Sequence, residues 1–309
     1  MSLLSQPHFH SETAAIARLE RIVWPDGVPH CPRCGGIDRI TPVKGGRAGL
    51  RRCGPCKREF TATVGTVFER SHVKLHKWFQ AAHLMASSKK GISAHQLHRT
   101  LKVTYKTAWF MEHRLREAMR DGDLSPLGGS GKIVEIDETL QGRLAGAPRV
   151  VPWGQAANWR NIVLTLVERD GHARSFHINS ATMATLLPII RANINRETAI
   201  MTDELRAYQK LGDEFASHEA VNHSAKEYVR GDITTNTVEG YFSIFKRGMK
   251  GVYQHCSERH LHRYLAEFDF RYNQRVALGV SDEARADRLI SGIVGKRLTY
   301  RSSSGAAIS

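Results

Sequence analysis

The sequence predicts a multidomain protein in which a cysteine-rich segment and a helical segment precede a C-terminal α/β domain. Three observations predict this arrangement. Two CxxC pairs lie near the N-terminus, helical periodicity runs through residues 72–120, and short strand-like apolar runs begin after residue 131. A chain of 309 residues is long enough for two or three domains.

Composition and charge restrict the class of protein. The 41% hydrophobic content is ordinary, and the sequence has no run of about 18 apolar residues that would predict a membrane span. Residues 1–10 lack a signal-peptide pattern, so we expect a cytoplasmic, nucleoid-associated protein without membrane contact. Of the net charge of +15, residues 1–120 contribute +13, with 21 Lys and Arg against 8 Asp and Glu. This N-terminal excess predicts phosphate contacts with nucleic acid.

Residues 15–70 are predicted to form a zinc ribbon. The members of the two CxxC pairs are Cys31, Cys34, Cys53 and Cys56, and the interval between the pairs is typical of a zinc site. Two residues between thiolates allow one tight turn to present both sulfurs, and four thiolates close a structural Zn²⁺ site. A Gly-Gly pair between the two CxxC pairs is expected to lie in a hairpin. Two disulfides are the alternative, which the lack of a secretory signal disfavours.

Residues 71–120 are predicted to form a helix-turn-helix segment. Ser93 and Thr104 are candidate N-caps of two helices, over residues 94–101 and 105–119. Two short helices joined by a tight turn match a motif whose second helix enters the major groove of DNA. A plain helical hairpin is the alternative, and the basic charge favours DNA binding. The candidate DNA contacts on the second helix are Lys106 and Arg114.

The C-terminal domain is predicted to span residues 132–280, after a Gly-, Pro- and Ser-rich linker at residues 121–131. Three strand-like runs are followed by a helix, a fourth strand and further helices. This order is consistent with a ribonuclease-H-like α/β fold, in which the first and fourth strands are neighbours. The predicted strands lie at residues 133–136, 161–167, 173–178, 198–202 and 220–223, and the predicted helices at residues 184–194, 235–245 and 258–275.

Three acidic residues of this domain are predicted to form a catalytic metal site. Asp137 and Asp203 close the first and fourth strand-like runs, and Glu239 lies in a helical stretch further along the chain. Carboxylates are ligands of Mg²⁺, and two cations about 4 Å apart can activate an attacking oxygen and stabilise a leaving one in phosphoryl transfer. Each acid alone also has a structural explanation. The competing acids nearby are Glu135, Glu138, Glu204 and Asp232.

Several stretches match one known family. They are Cys31–Cys34 and residues 60–66, 134–139, 202–204, 221–224, 227–229, 235–240, 242–248 and 260–275. On these stretches, over residues 15–275, the chain resembles insertion-sequence transposases of the ISXO type, which carry a zinc ribbon before a D…D…E catalytic domain. Residues 281–309 are expected to be a variable tail.

The resemblance implies a transposase that binds terminal inverted repeats and target DNA as a homo-oligomer. It implies two catalytic Mg²⁺ or Mn²⁺ ions, held by the three acids, and one structural Zn²⁺. In related transposases a basic residue seven positions after the catalytic Glu holds DNA, which implies Lys246, with Arg247 beside it. Some relatives have Asn at the third position, and Asn236 lies one turn before Glu239 on the same helix face. Glu239 is favoured because a carboxylate binds Mg²⁺ better than an amide does.

Two other functions fit the residues. One is a zinc-dependent DNA-binding regulator with a degenerate catalytic domain, and the other is a ribonuclease-H-like nuclease that cuts without joining. The intact set of acids argues against the regulator, and the preceding DNA-binding segments argue against the simple nuclease.

Overall fold

The computed structural model describes residues 3–122, 125–150, 155–205, 208, 211–225 and 227–299. The chain divides into two compact units, one of residues 1–120 and 280–309 and one of residues 121–279. The α-helices are α1 (Glu12–Val23), α2 (Leu75–Ser87), α3 (Ala94–Leu101), α4 (Tyr105–Met119), α5 (Met183–Asn193), α6 (Asn236–Gly248), α7 (Leu261–Asn273) and α8 (Asp282–Ser291). The strands are β1 (Ile40–Pro42), β2 (Arg51–Cys53), β3 (Glu59–Phe60), β4 (Ile133–Gln141), β5 (Asn161–Glu168), β6 (Ala173–Ile178), β7 (Ala199–Thr202), β8 (Ser217–Ala220), β9 (Val229–Arg230) and β10 (Ile233–Thr234).

The N-terminal unit is built around α2, which packs against α1, α4 and α8. Trp78 and Met85 of α2 are buried because apolar residues recur at helical spacing on its inner face. The sequence predicted a variable tail from residue 281, but α8 buries Leu289 in this core. Arg285 of α8 also donates a hydrogen bond to the carbonyl oxygen of Ala86, over 3.1 Å. Residues 300–309 of the predicted tail lie outside the described residues.

The ribbon is a three-stranded antiparallel sheet in the order β1-β2-β3. The predicted hairpin between the cysteine pairs is formed by β1 and β2, with Ile40 opposite Cys53. The ring of Trp24, which directly follows α1, lies edge-on to Phe60 of β3, with 6.2 Å between ring centroids. The guanidinium of Arg51 lies 5.3 Å from the centre of the Trp24 ring, so the ribbon is held against α1 by aromatic and cation–π contacts.

The α3 and α4 helices begin and end where the sequence predicts. The Ser93 hydroxyl accepts a hydrogen bond from the Gln96 N–H over 3.2 Å, and the Thr104 hydroxyl accepts one from the Thr107 N–H, also over 3.2 Å. Lys102 adopts a left-handed conformation, with φ of 50°, and this ends α3 two residues before the Thr104 cap.

The C-terminal unit contains a five-stranded mixed sheet in the order β6-β5-β4-β7-β8. The β4, β5 and β6 strands pair antiparallel, whereas β7 pairs parallel with both β4 and β8. The predicted neighbourhood of the first and fourth strands is therefore confirmed. The predicted fifth strand lies three residues earlier than expected, at β8. The short β9–β10 hairpin, which follows β8, was not predicted.

The two faces of this sheet bury two separate cores. One face packs on α5 and buries Ile136, Leu164 and Leu186, and the other packs on α6 and α7 and buries Val163 and Phe268. Side chains alternate between the faces along β4, because successive residues of a strand point to opposite sides. Residues 125–131 of the predicted linker are part of this unit, since Leu127 is buried in the α5 core. Residues 123–124 lie outside the described residues.

Candidate functional site

The four ribbon cysteines form one cluster. Their sulfur atoms lie within 4.8 Å of one another, and the Cys31–Cys56 and Cys34–Cys53 Sγ separations are both 3.7 Å. A tetrahedral Zn²⁺ ion with Zn–S bonds of about 2.3 Å requires sulfur separations of about 3.8 Å, so the cluster fits a structural zinc ion. The 3.7 Å separations are well above the disulfide S–S length of about 2.05 Å, so the cysteines are not joined in disulfides and the two-disulfide alternative does not agree with the structure.

The first pair of zinc ligands is presented by a turn that requires glycine. The Gly35 N–H donates to the carbonyl oxygen of Cys31 over 2.9 Å, and the Cys31 N–H donates to the carbonyl oxygen of Gly36 over 2.9 Å. Gly35 has a φ of +71°, a conformation that side-chain-bearing residues rarely adopt. Within the described residues, this cluster is the only group of three or more Cys, His, Asp or Glu side chains gathered closely enough to hold a metal ion.

The first two candidate catalytic acids lie on neighbouring strands. The parallel register of β4 and β7 places Glu135 opposite Met201. If the same register is extended by two residues toward the C-terminal ends of both strands, Asp203 lies beside Asp137, on the same face of the sheet. The prediction that Asp137 ends its strand was wrong, because β4 continues to Gln141. The β4 strand pairs with β5 as far as Gln141. Of the two acids, only Asp203 directly follows the end of a strand.

The electrostatic environment of these acids disfavours their charged forms. Burial, together with the nearby charges of Glu138, Asp203 and Glu239, raises the pKa of Asp137 to about 8. The pKa of Asp203 is also raised, mainly by burial, and the charge of Glu204 adds to this effect. The charges of Asp203 and Glu239 both act on Asp137, so the three predicted acids lie in one electrostatic environment.

Glu239 lies in the first turn of α6, and its position depends on Glu135. The fully buried Glu135 carboxylate accepts hydrogen bonds from the N–H groups of Thr237 and Val238, over 2.7 and 3.0 Å. It also accepts from Arg169 Nε over 2.7 Å. An acidic group at a helix N-terminus satisfies backbone N–H groups that have no partner within the helix. The β4 strand therefore carries both Asp137 and the anchor of the helix that bears Glu239.

The competing acids have other partners. Glu138 accepts a hydrogen bond from the Tyr208 hydroxyl over 2.5 Å, and strand alternation places it on the opposite face from Asp137. Glu204 accepts from the backbone N–H groups of His223 and Ser224, over 2.9 and 3.0 Å. Glu135 anchors α6, as described above, and Asp232 is exposed in the loop of the β9–β10 hairpin.

The structure adds His223 to the surroundings of these acids. Its Nε2 lies 3.7 Å from Glu239 Oε1, and its positive charge, when protonated, acts to lower the pKa of Asp203. The sequence predicted that His223 ends the strand at residues 220–223 and indicated no role for it, whereas the structure places it in a 3₁₀ turn. Asn236, the alternative third position, is the first residue of α6, and its side chain is exposed like that of Glu239.

The candidate DNA contacts divide into exposed and buried residues. Lys246 and Arg247 are exposed in the last turn of α6, and Lys106 is exposed near the start of α4. Arg114 was predicted to contact DNA, but it is buried. Its Nη1 donates hydrogen bonds to the carbonyl oxygens of Val67 and Glu69, over 2.8 and 3.0 Å. Its side chain therefore stabilises the N-terminal unit and is not part of a DNA-facing surface.

Comparisons with known proteins agree with this combination of ribbon and α/β unit. Residues 10–59 match the transposase zinc-ribbon domain, and residues 126–273 match the ISXO2-like transposase domain. A protein of the transposable element ISH50 from Halobacterium salinarum is 31% identical over 282 residues, which cover 85% of this chain and 91% of that protein. A transposase-like protein from Haemophilus influenzae is 30% identical over 90 residues, or 29% of this chain and 72% of that protein.

These similarities place the chain in the class of transposases of mobile DNA elements. Within this class, the chain belongs to the ISXO2-like transposase family. Among the helices of the described ranges, none is both long enough and apolar enough to cross a bilayer.

Proposed function

We propose that the protein is a DNA transposase that cleaves the ends of an insertion sequence and joins them to target DNA. The observation that supports this most is the parallel pairing of β4 with β7, which brings Asp137 and Asp203 to one face of the sheet. The anchoring of α6 by Glu135 brings Glu239 to the same region. We therefore assign these three acids as the catalytic set, with Glu239 preferred over Asn236.

The sheet supports a ribonuclease-H-like fold for the C-terminal unit. Three antiparallel strands are followed by a helix and by two strands that pair parallel, so that the first strand lies in the centre of the sheet. Acids on the first and fourth strands are then neighbours, although they lie far apart in the sequence.

The donor chemistry of these three acids suits divalent cations, although their side chains are not gathered as closely as the ribbon cysteines are. Carboxylate oxygens are the ligands that Mg²⁺ and Mn²⁺ prefer, and three such groups in one region repel one another when they are ionised. The pKa values of Asp137 and Asp203 are raised because a negative charge is unfavourable in a buried site. Two bound Mg²⁺ or Mn²⁺ ions would supply charge neutralisation and activation of the attacking oxygen. The three acids would hold them.

The reaction consists of two phosphoryl transfers. In the first, a water oxygen bonds to phosphorus at the element end, and the bond from phosphorus to the terminal 3′ oxygen breaks. This leaves a 3′ hydroxyl on the element. In the second, that hydroxyl bonds to a target phosphorus and displaces a target 3′ oxygen as a hydroxyl. Lys246 and Arg247, exposed on α6, would hold the phosphates of the bound strand.

The N-terminal unit is assigned to DNA binding. The α3 and α4 helices, joined across Lys102 and capped at both starts, would act as a helix-turn-helix, in which Lys106 would face DNA near the start of the second helix. The ribbon and this segment would bind terminal inverted repeats, and a dimer or larger assembly would bring two ends together. The protein would act on chromosomal DNA in the cytoplasm.

Product analysis of the wild-type protein tests this function. Labelled DNA that ends in the terminal repeats is incubated with supercoiled target DNA and Mg²⁺, and the products are separated on a denaturing gel. We expect strands that carry labelled ends covalently joined to target. Nicked ends without joined strands would identify a nuclease, and binding without any cleavage would identify a regulator.

A further inference from the structure

A polar cavity lies beside the C-terminal end of β4 and is not used by the proposed chemistry. Its volume is about 500 Å³, within the range of pockets that hold small ligands. Its wall includes polar side chains from two segments of the C-terminal unit, which are Gln141, Arg143 and Asn161 around the connection from β4 to β5, and Gln254, His255 and Cys256 after α6.

The first segment of the wall is fixed by a buried amide. Asn161, the first residue of β5, lies opposite Gln141, and its Nδ2 donates hydrogen bonds to the carbonyl oxygens of Gln141 and Arg143, over 3.1 and 3.3 Å. Its Oδ1 is buried and has no hydrogen-bond partner among the described residues. A buried acceptor without a partner is costly. In the wall of a cavity, such an acceptor points to a donor group from a bound molecule.

The second segment of the wall is a strained turn. The α6 helix continues into one π-helical turn, Met249–Tyr253, after which Gln254 adopts φ of 58° and ψ of −52°. The His255 N–H donates to the carbonyl oxygen of Tyr253 over 2.6 Å, which makes Gln254 the centre of a γ-turn with positive φ. This turn is rare and strained for a residue with a side chain, and strained backbone is frequent at ligand sites. Gln254 and His255 are both exposed.

The cavity lies along α6 from the candidate catalytic acids. Glu135 of β4 binds the N-terminus of α6, and the segment after α6 lines the cavity together with Gln141, so the helix extends along β4 toward the cavity. Gln141 lies four residues after Asp137, or about 13 Å along the strand. Lys246 lies seven residues after Glu239, on the same face of α6, and is exposed. A DNA strand held by Lys246 would therefore lead from the acids to the cavity.

We propose that this cavity binds one unpaired nucleotide of the DNA strand held at the candidate catalytic acids. This inference rests on the proposed transposase function. The amides of Gln141 and Gln254 can form hydrogen bonds with a base edge, and the His255 ring can stack on a base. A base that is paired within a duplex cannot enter such a pocket, so the bound nucleotide is unpaired.

Arg143 supplies the positive charge for the phosphate of this nucleotide. Its side chain is exposed and donates to the carbonyl oxygen of Pro148. It forms no ion pair with an acid in the described part of the chain, so no carboxylate there neutralises its charge. An arginine in this setting can bind a phosphate group through its remaining N–H donors.

Binding to mismatched DNA tests the proposal. The full chain, with zinc in its ribbon, is titrated without added Mg²⁺ against duplexes that end in the terminal repeat, with one mismatch placed in turn at each position near the cleavage site. A mismatch lowers the energy needed to unpair a base. We expect one position at which the mismatch tightens binding on the order of tenfold. An abasic nucleotide at that position should bind more weakly than the mismatch, because it has no base to stack.

Single-site variants identify the cavity as the cause of this gain. Arg143→Ala and His255→Ala should each reduce the gain from the mismatch. Arg196→Ala is the matched control, since Arg196 is exposed in the same unit but lies between α5 and β7, and it should keep the full gain. Because the side chains of all three residues are exposed, the circular dichroism spectra should match that of the wild type.

Cys256 gives an independent readout of position. This half-buried thiol lies in the cavity wall, whereas the other four cysteines form the ribbon cluster. DNA that carries a disulfide-activated tether on the base at the sensitive position should cross-link to the wild type and not to Cys256→Ser. The same tether several nucleotides away should give little cross-link.

The outcomes separate this inference from the proposed function. A wild type that joins ends to target but gains nothing from a mismatch at any position would overturn the nucleotide pocket and leave the catalytic assignment in place. A full gain in both Arg143→Ala and His255→Ala, or no Cys256 cross-link at the sensitive position, would also overturn the pocket. Failure of the wild type to bind either matched or mismatched ends would overturn both proposals.

Discussion

Replacement of Glu135 should destabilise the C-terminal unit, although this acid lies only two residues from Asp137. Its carboxylate is fully buried and accepts four hydrogen bonds, from the N–H and hydroxyl of Thr237, the N–H of Val238 and Nε of Arg169. The Glu135→Ala variant leaves all four donors without this acceptor. Its effect on activity would therefore be a consequence of lost structure.

The magnitude follows from the buried ion pair. Removal of one member of a buried, hydrogen-bonded pair costs about 3–5 kcal/mol. The Arg169 side chain is 21% exposed and keeps its bonds to the carbonyl oxygens of Asp232 and Thr234, which favours the lower part of that range. Glu239→Gln is the matched control. The Glu239 side chain is 46% exposed and accepts one hydrogen bond, from Thr235, so its replacement should cost less than about 1 kcal/mol.

The assay combines urea denaturation with hydrogen exchange. Denaturation of the full chain, followed by circular dichroism, gives the free energy of unfolding of each variant. Exchange measured by mass spectrometry on peptides from α6 should show faster exchange at Thr237 and Val238 in Glu135→Ala and unchanged exchange in Glu239→Gln. If Glu135→Ala unfolds at the same urea concentration as the wild type and α6 keeps its normal protection from exchange, Glu135 does not anchor this helix.

Three further predictions concern zinc, DNA contacts and pH. The wild type should contain one zinc per chain, and Cys53→Ser should lose it and make the ribbon sensitive to protease, whereas a zinc-free wild type of normal resistance would exclude a structural role. Arg114→Ala should lower the free energy of unfolding by about 2–3 kcal/mol, because the carbonyl oxygens of Val67 and Glu69 lose their buried, charged donor. Lys106→Ala should change the free energy of unfolding by no more than about 0.5 kcal/mol, and it should lower the slope of DNA affinity against salt concentration by the amount of about one phosphate contact. A stability loss in Lys106→Ala with none in Arg114→Ala would contradict the structure. The pKa of Asp269 is raised by burial from 3.8 to about 6, so the folded state holds its proton more tightly than the unfolded state does. Its contribution to stability should thus fall by up to about 3 kcal/mol as the pH rises from about 4 to about 6, and the difference in unfolding free energy between wild type and Asp269→Asn should change over this range.

Local signals in the sequence predicted the regular elements well. The bounds of α3 and α4 were predicted from the caps Ser93 and Thr104, because a side chain that accepts a hydrogen bond at a helix start is a local interaction. The spacing of the cysteines predicted the ribbon for the same reason, since one turn presents each pair. The pairing of β4 with β7 was predicted from the order of elements.

Long-range partners could not be predicted from local patterns. Glu135 and Asp137 lie on the same face of one strand, and only the tertiary contacts with α6 and Arg169 distinguish the anchor from the candidate catalytic acid. Arg114 lies on α4, where polar residues occur on both faces of the helix. The sequence pattern therefore did not indicate that the Arg114 side chain is buried. The α8 helix begins shortly after Gly279, which ends a short 3₁₀ turn, and packs on α2. Because α2 lies far earlier in the chain, no local periodicity could indicate this contact.

Strand transfer by single-site variants tests the central claim most directly. Wild type, Asp137→Asn, Asp203→Asn, Glu239→Gln and Asn236→Ala are compared for binding to terminal-repeat DNA and for joining of labelled ends to target with Mg²⁺. We expect all five proteins to bind DNA equally. We also expect the three acid variants to form no joined product, while Asn236→Ala retains joining. Normal joining by any of the acid variants, or loss of joining only in Asn236→Ala, would contradict the proposed catalytic site.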